Sequence, residues 1–474
     1  MKKGSACSMF ILLCMALSCS ELKKRTTLNG AWTSIGSGWV LAIQDSSTYQ
    51  LYDVTTQSCV VRRDAGFNEL ASSLELTNDT LTLKKGVISY LFKPAERIPE
   101  NCTETLSKEE REDPMYNFEV FAQTVRDHYA FFELNNTDWP SLYEQQKQRL
   151  LLNPSDIELY KVIDEILLEI NDNHAYLEAP EQVYAQLEDE ESEEETEGIL
   201  GKEYGDFEIA NVVTNHHLIE DYTKDSWLMS WGKITDSIGY IQVKTMWLYA
   251  DLGLPQSLID SLGYVDAYVT TFSKMNEGDY IRKEAEAVAT LMKKVMDDLK
   301  DTESIVIDVR FNGGGQDAVS FEILSHFITG TDQVATQKLR YNDTFTPELI
   351  LSIEGKPDAY TKPVYVLTSS QTGSAAEAFS IATMALPDVQ RIGSRTAGAM
   401  STALEKQLPN GWFFSISNEV YMDMEGKVYE NTGVPPDHRI AYSRDRQTFF
   451  RSVADDLESD KDRILDAIQK LGSN

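Results

Sequence analysis

The sequence predicts an α/β protein assembled from more than one unit, and three observations carry that prediction. Short alternating stretches fill residues 28–98, a helical period takes over from about 115, and buried-type strands alternate with helices from about 236. The chain has 474 residues, enough for two or three domains.

In the first stretch Thr48–Val54, Ser73–Thr77 and Thr80–Leu83 alternate, and Asn78-Asp79 suits a tight hairpin turn. Nothing within residues 20–110 converges toward catalysis, so this reads as a small, separate β domain with a structural or targeting task. Residues 111–185 read as a helical segment. Phe118, Phe121, Val125, Tyr129 and Phe132 recur at helical spacing. Ser155 with Glu158 forms a capping box for a second helix, which ends near Asn171. Asp172-Asn173-His174 follow at its exit.

Residues 186–235 read as an acidic insertion or linker, because eight of the ten positions 188–197 are acidic and such a run stays solvated. If this run borders a substrate entrance, it favours basic peptides in a salt-sensitive way. The interval from Pro180 to Asp236 is short for an inserted PDZ domain. Residues 236–474 form the α/β part. Ile238–Val243 reads as a strand and Arg282–Leu299 as a helix. Ile305–Val309 and Pro363–Thr368 read as buried strands, each followed by a turn and a helix, from about Ala318 and from Ala375 to Met384.

The composition excludes some functions. Forty-three basic against 76 acidic residues leave a net charge of −33. A phosphate backbone or an anionic membrane surface needs a basic face, so neither is an expected partner. An apolar fraction of 42% excludes a wholly disordered chain.

The N-terminus reads as a targeting segment, residues 1–19. Lys2 and Lys3 precede a short apolar run, Met9–Leu17, that ends in Ala16-Leu17-Ser18-Cys19. This resembles a bacterial lipoprotein cleavage box with Cys19 as the lipidated residue; ordinary signal cleavage is the alternative. A lipid anchor would then be the protein's only membrane attachment, in the bacterial cell envelope. Cys59 and Cys102 remain, either bridged or as two thiols.

Two strand-to-helix turns can hold chemistry. Gly313-Gly314-Gly315 lets a ligand approach the backbone, and N–H groups at the following helix start can meet an anion; a plain flexible turn is the alternative. Ser374, among small residues after a buried strand, can present its hydroxyl at the strand's carboxyl end with the Ala375 N–H beside it. It can equally be an N-cap, because Ser374 with Glu377 also scores as a capping box. Of the six histidines, His174 lies at an element boundary, where functional residues concentrate. His438 is a weaker candidate, and His128 suits packing. No metal-ligand spacing occurs and no cofactor is expected.

Four ordered motifs resemble the C-terminal processing (tail-specific) serine peptidases. They are Ile305 to Gly315, Val364 to Glu377 with Ser374 at the nucleophile position, Ile392 to Gly398, and Asp423 to Asp437. The helical segment and the exit at His174 fit as well. Ala399 stands where the Ser–Lys branch carries its lysine, so the resemblance is closer to the tricorn-core branch. It implies a ClpP/crotonase-like core and catalysis by Ser374, His174 and Glu430, with Asn173 orienting in a place where that branch often has serine. It also implies Gly314 and Ala375 N–H groups facing the oxyanion, and a peptide or unfolded protein tail as substrate. A non-catalytic protein that binds an apolar ligand or peptide on the same fold is the alternative.

Overall fold

The computed structural model describes residues 27–190 and 202–472. Cys19 and the targeting segment lie outside the described residues, as does most of the acidic run.

Residues 30–95 form a seven-stranded antiparallel sheet, in the spatial order Cys59–Gly66, Thr48–Val54, Trp39–Gln44, Gly30–Ser34, Ile88–Ala95, Thr80–Lys85, Leu74–Thr77. The hairpin turn stands at Asn78-Asp79, both at positive φ (47° and 66°), a conformation that Asn and Asp tolerate best among residues with a Cβ. The sheet's apolar face does not close on itself. Trp32, Leu41, Leu81 and Phe92 belong to one buried cluster with Phe118, Phe121 and Val125 of helix Pro114–His128, Ile163 and Ile166 of helix Asp156–Glu169, and Phe414 and Ile416. The expected separate module thus shares its core with the helical segment, because a single sheet needs a second layer to bury its apolar side. Cys59 and Cys102 are joined in a disulfide with Cα atoms 4.9 Å apart.

The second large sheet runs His438–Arg439, Val389–Gly393, Val364–Thr368, Ser304–Asp308, Ile238–Val243, Met229–Lys233, Glu220–Asp221. Its strands are parallel from residue 238 onward, and the last two pair antiparallel. Residues 186–235, expected as an insertion or linker, therefore supply two strands of this sheet and the helix Asp206–His217. Behind the acidic run, the apolar Leu228, Met229 and Trp231 are buried in the core.

Alternation explains how the central strand is covered. Ile305 and Ile307 face helices Glu277–Leu299, Asp317–Ser325 and Ala375–Ala382, while Val306 faces Ile464, Ala467 and Ile468 of helix Leu457–Leu471. Both faces are buried, so the strand reads as continuously apolar. A third sheet, Ala403–Gln407, Phe413–Ser417 and Tyr176–Glu178, ties the exit of the helical segment to the α/β part.

Candidate active site

Strands Ser304–Asp308 and Val364–Thr368 are parallel neighbours, and their carboxyl ends open into adjacent turns. In open α/β sheets that end is where ligands sit. Three bonds lace the turns together: Ser369 Oγ donates to the Arg310 carbonyl (2.5 Å), Thr372 Oγ1 to the Val309 carbonyl (2.8 Å) and the Gly373 N–H to the Asn312 carbonyl (3.1 Å).

Ser374 has φ 52° and ψ −123°, sparsely populated for a residue with a Cβ. It makes no side-chain cap bond to the helix it precedes. The capping-box alternative is therefore not what this serine does. Its Oγ lies 3.3 Å from His174 Nε2, across 200 residues of sequence. Its N–H donates to the Ala399 carbonyl at 2.9 Å.

The sequence around His174 explains its placement. Helix Asp156–Glu169 starts on Ser155, whose Oγ accepts from the Glu158 N–H at 3.2 Å. The second half of the expected capping box is replaced, because the Glu158 carboxylate binds Arg149 instead. Asn171 reverses the chain at φ 49°. Asp172 then accepts from the His174 N–H (2.9 Å) and from both the N–H and Oγ of Ser417 (2.6 Å each). Burial lowers the His174 pKa, and the Asp172 charge opposes that shift. Its Nδ1 is buried with no partner.

The Ala375 N–H, at the first helical position, has no acceptor among the described residues. Gly314 lies close against Ser374. A Cβ built on it would lie 2.7 Å from Ser374 Cβ, at φ 114°. However, the Gly314 N–H, expected to face the oxyanion, donates to Asn312 Oδ1 at 2.9 Å. The Asn312 side chain competes with that role, and the glycine's visible contribution is room.

Glu430 is buried, and one of its oxygens accepts from the Met400 and Ser401 N–H groups at 3.0 and 3.1 Å. Burial pushes its pKa up to about 8, with the nearby Glu377 and Asp172 charges adding to the rise. Among the described residues no hydrogen bond joins Glu430 to His174. Asn173 also stands off the imidazole and donates to the Gly398 carbonyl at 3.3 Å.

Sequence reasoning named Asp172 only as part of the exit at His174, passed over Ser417 and gave Glu377 a capping role. The buried Glu377 carboxylate accepts from Thr396 Oγ1 (2.5 Å), the Gly398 N–H (2.8 Å) and the Ala399 N–H (2.5 Å). An acid three residues after a serine looks like a cap partner, so nothing local pointed to a turn twenty residues away. The strand motif residues Asp308 and Arg310 are also buried; Arg310 pairs with Asp308 and with Asp460 of the last helix. His217 contacts the same Asp460 at 3.3 Å, His128 is buried in the packing, and His438 lies on an edge strand. Among the described residues no cluster of three His, Cys, Asp or Glu could hold a metal, and no helix is long and apolar enough to cross a membrane.

With this geometry in view, residues 237–440 match the model of Peptidase family S41, and residues 110–167 match that of the Tricorn protease C1 domain. These matches support a serine peptidase. The peptidase's fold is also similar to that of mature CPAF (12% identity over 76% of this chain and 98% of that one, TM-score 0.52). It resembles a provisionally assigned peptidase from Parabacteroides merdae as well (20% identity over 73% and 97%, TM-score 0.51). At such identities the likeness speaks for the mixed α/β fold alone.

Proposed function

We propose that this peptidase is an endopeptidase that cleaves peptides or unfolded protein tails by Ser–His acyl transfer on a ClpP/crotonase-like core of the tricorn type. The contact of Ser374 Oγ with His174 Nε2 at 3.3 Å carries the reading. The binding-protein alternative would be favoured by these groups lying far apart.

In this mechanism His174 takes the Ser374 proton as the hydroxyl attacks the scissile carbonyl, then returns it to the leaving amine. Water repeats the sequence on the acyl-enzyme. A depressed imidazole pKa keeps the base neutral and ready at neutral pH. The Ala375 N–H donates to the oxyanion, and Gly314 adds a second donor once substrate displaces Asn312. Glu430 holds the Met400-Ser401 backbone beside the site and orients the polar network, directly or through a bridging group. With Ala399 in the lysine's place, the backbone carbonyl there positions the nucleophile. We assign the protein to the bacterial cell envelope, tethered by lipid on Cys19, because the first 19 residues resemble a lipoprotein signal.

Fluorophosphonate labelling tests the nucleophile. Wild type is expected to label and Ser374→Ala to stay unlabelled; equal labelling of both would refute the assignment. Full turnover by His174→Ala would remove the base from the mechanism.

A further inference from the structure

The N-terminal sheet reaches His174 through the third sheet. Strand Phe413–Ser417 grips the histidine from two sides: Ser415 Oγ donates to the His174 carbonyl, and Ser417 fastens the preceding Asp172. Strand Tyr176–Glu178 starts two residues after His174 and pairs its Tyr176 with Ser415. On the other side, strand Ala403–Gln407 pairs Ala403 with Ser417 and Glu405 with Ser415. The placement of His174 therefore follows that of strand Ala403–Gln407.

That strand is fixed from the N-terminal sheet, and by charge. Leu404 and Lys406 share its buried face, as alternation requires. Leu404 joins the common apolar core, but Lys406 places an ammonium on the same face, in a side chain only 4% exposed. Its three N–H donors match three acceptors of the N-terminal sheet: Asp53 Oδ1 (2.7 Å), the Ser37 carbonyl (2.7 Å) and the Gly38 carbonyl (3.2 Å). Asp53, on strand Thr48–Val54, is equally buried. Arg62, on the neighbouring strand Cys59–Gly66, donates to the Glu405 carbonyl at 2.6 Å. A buried ion pair adds little net stability, because desolvation offsets its attraction. It does impose geometry. Sliding strand Ala403–Gln407 by one residue would turn Lys406 away from all three acceptors and leave Asp53 buried without its partner.

We propose that Asp53 and Lys406 are positioning residues for His174, and that the N-terminal sheet serves to set the register of the strands that hold the base. For the part His174 plays, the proposal rests on the Ser–His reading.

Fluorophosphonate labelling of the full chain at several probe concentrations separates the maximal labelling rate from probe affinity. A misplacement of about 1 Å costs about 10²-fold in rate, so Lys406→Met and Asp53→Ala should lower the maximal rate at least about tenfold with affinity little changed. Asp53→Asn keeps an oxygen for the ammonium and should recover most of the rate. Lys85→Met removes an ion pair that joins the same sheet to Glu277 of helix Glu277–Leu299, away from strand Ala403–Gln407, and should label like wild type. Circular dichroism checks folding. If Lys406→Met does not fold, Arg62→Met, which removes a partly exposed side chain holding the same strand, should show the same loss of rate. The His174 ring signal, identified by its absence from His174→Ala in carbon-13 histidine spectra, should move in Asp53→Ala and Lys406→Met and stay in Lys85→Met. An unchanged maximal rate in the folded Asp53 and strand variants, an equal loss in Lys85→Met, or a change confined to affinity overturns the proposal. Equal labelling of wild type and Ser374→Ala would sink the Ser–His reading, whereas a displaced His174 signal would still show that the sheet positions this side chain.

Discussion

Ser374 and Gly314 depend on each other. The serine holds a backbone conformation that costs about 1–3 kcal/mol, and the surrounding turns enforce it. Gly314→Ala would place a methyl group 2.7 Å from Ser374 Cβ. One of the two turns must then move. A displacement of about 1 Å at a reacting centre costs about 10²-fold in rate, so labelling by fluorophosphonate should fall by that factor while the protein stays folded. His174 allows a second prediction at this scale. Its pKa lies below the ordinary 6.5, and in the proposed mechanism the neutral form is the base. The acid limb of kcat/KM should therefore have its midpoint below pH 6.5 and be absent from any residual activity of His174→Ala. A midpoint above that value would mean that burial does not govern this imidazole.

Elements are held in place here by carboxylates more than by local propensity. Glu377 sits one turn into helix Ala375–Ala382 and clamps the 396–399 turn, whose Ala399 carbonyl in turn holds the Ser374 N–H. Glu377→Gln keeps the shape but turns an NH2 toward an N–H or O–H donor, leaving a buried donor unsatisfied at a cost of about 1–3 kcal/mol. Labelling should slow about tenfold or more, with kcat falling and KM little changed. A fall in KM affinity alone would show that the turn binds substrate and does not position the serine. Asp172 plays the matching part for His174 by fastening it to Ser417. Periodicity gave the helices and strands on either side of these clamps. It could not reveal the clamps, because they join residues from 19 to 245 positions apart.

Over the whole molecule the buried acids make stability depend on pH. Burial raises Glu430 to about 8 and Glu377 and Glu419 to about 7. A raised carboxyl pKa means that the native state holds protons the unfolded chain has released, so stability falls as pH rises through that range. His128, His174 and His217 are depressed and act oppositely, but only below the unfolded value of 6.5. The melting temperature should therefore drop between pH 6.5 and 8, and Glu430→Gln should flatten the drop. A flat wild-type profile across this window would contradict the raised values.

The net charge of −33 did not disclose this, since most acids are solvated and a few buried ones dominate the titration. The sequence by itself determined the α/β class, the strand–turn–helix units at 305–325 and 364–384, and the residue types able to perform acyl transfer. Those follow from local periodicity and turn chemistry, which neighbouring residues encode. Tertiary structure alone brought His174 to Ser374 and turned Glu377 from a cap into a clamp. It also engaged the Gly314 N–H with Asn312, merged the N-terminal sheet with the helical core, and drew residues 220–233 into the second sheet. Such pairings depend on which distant groups share a buried space, and single-sequence patterns carry no record of that.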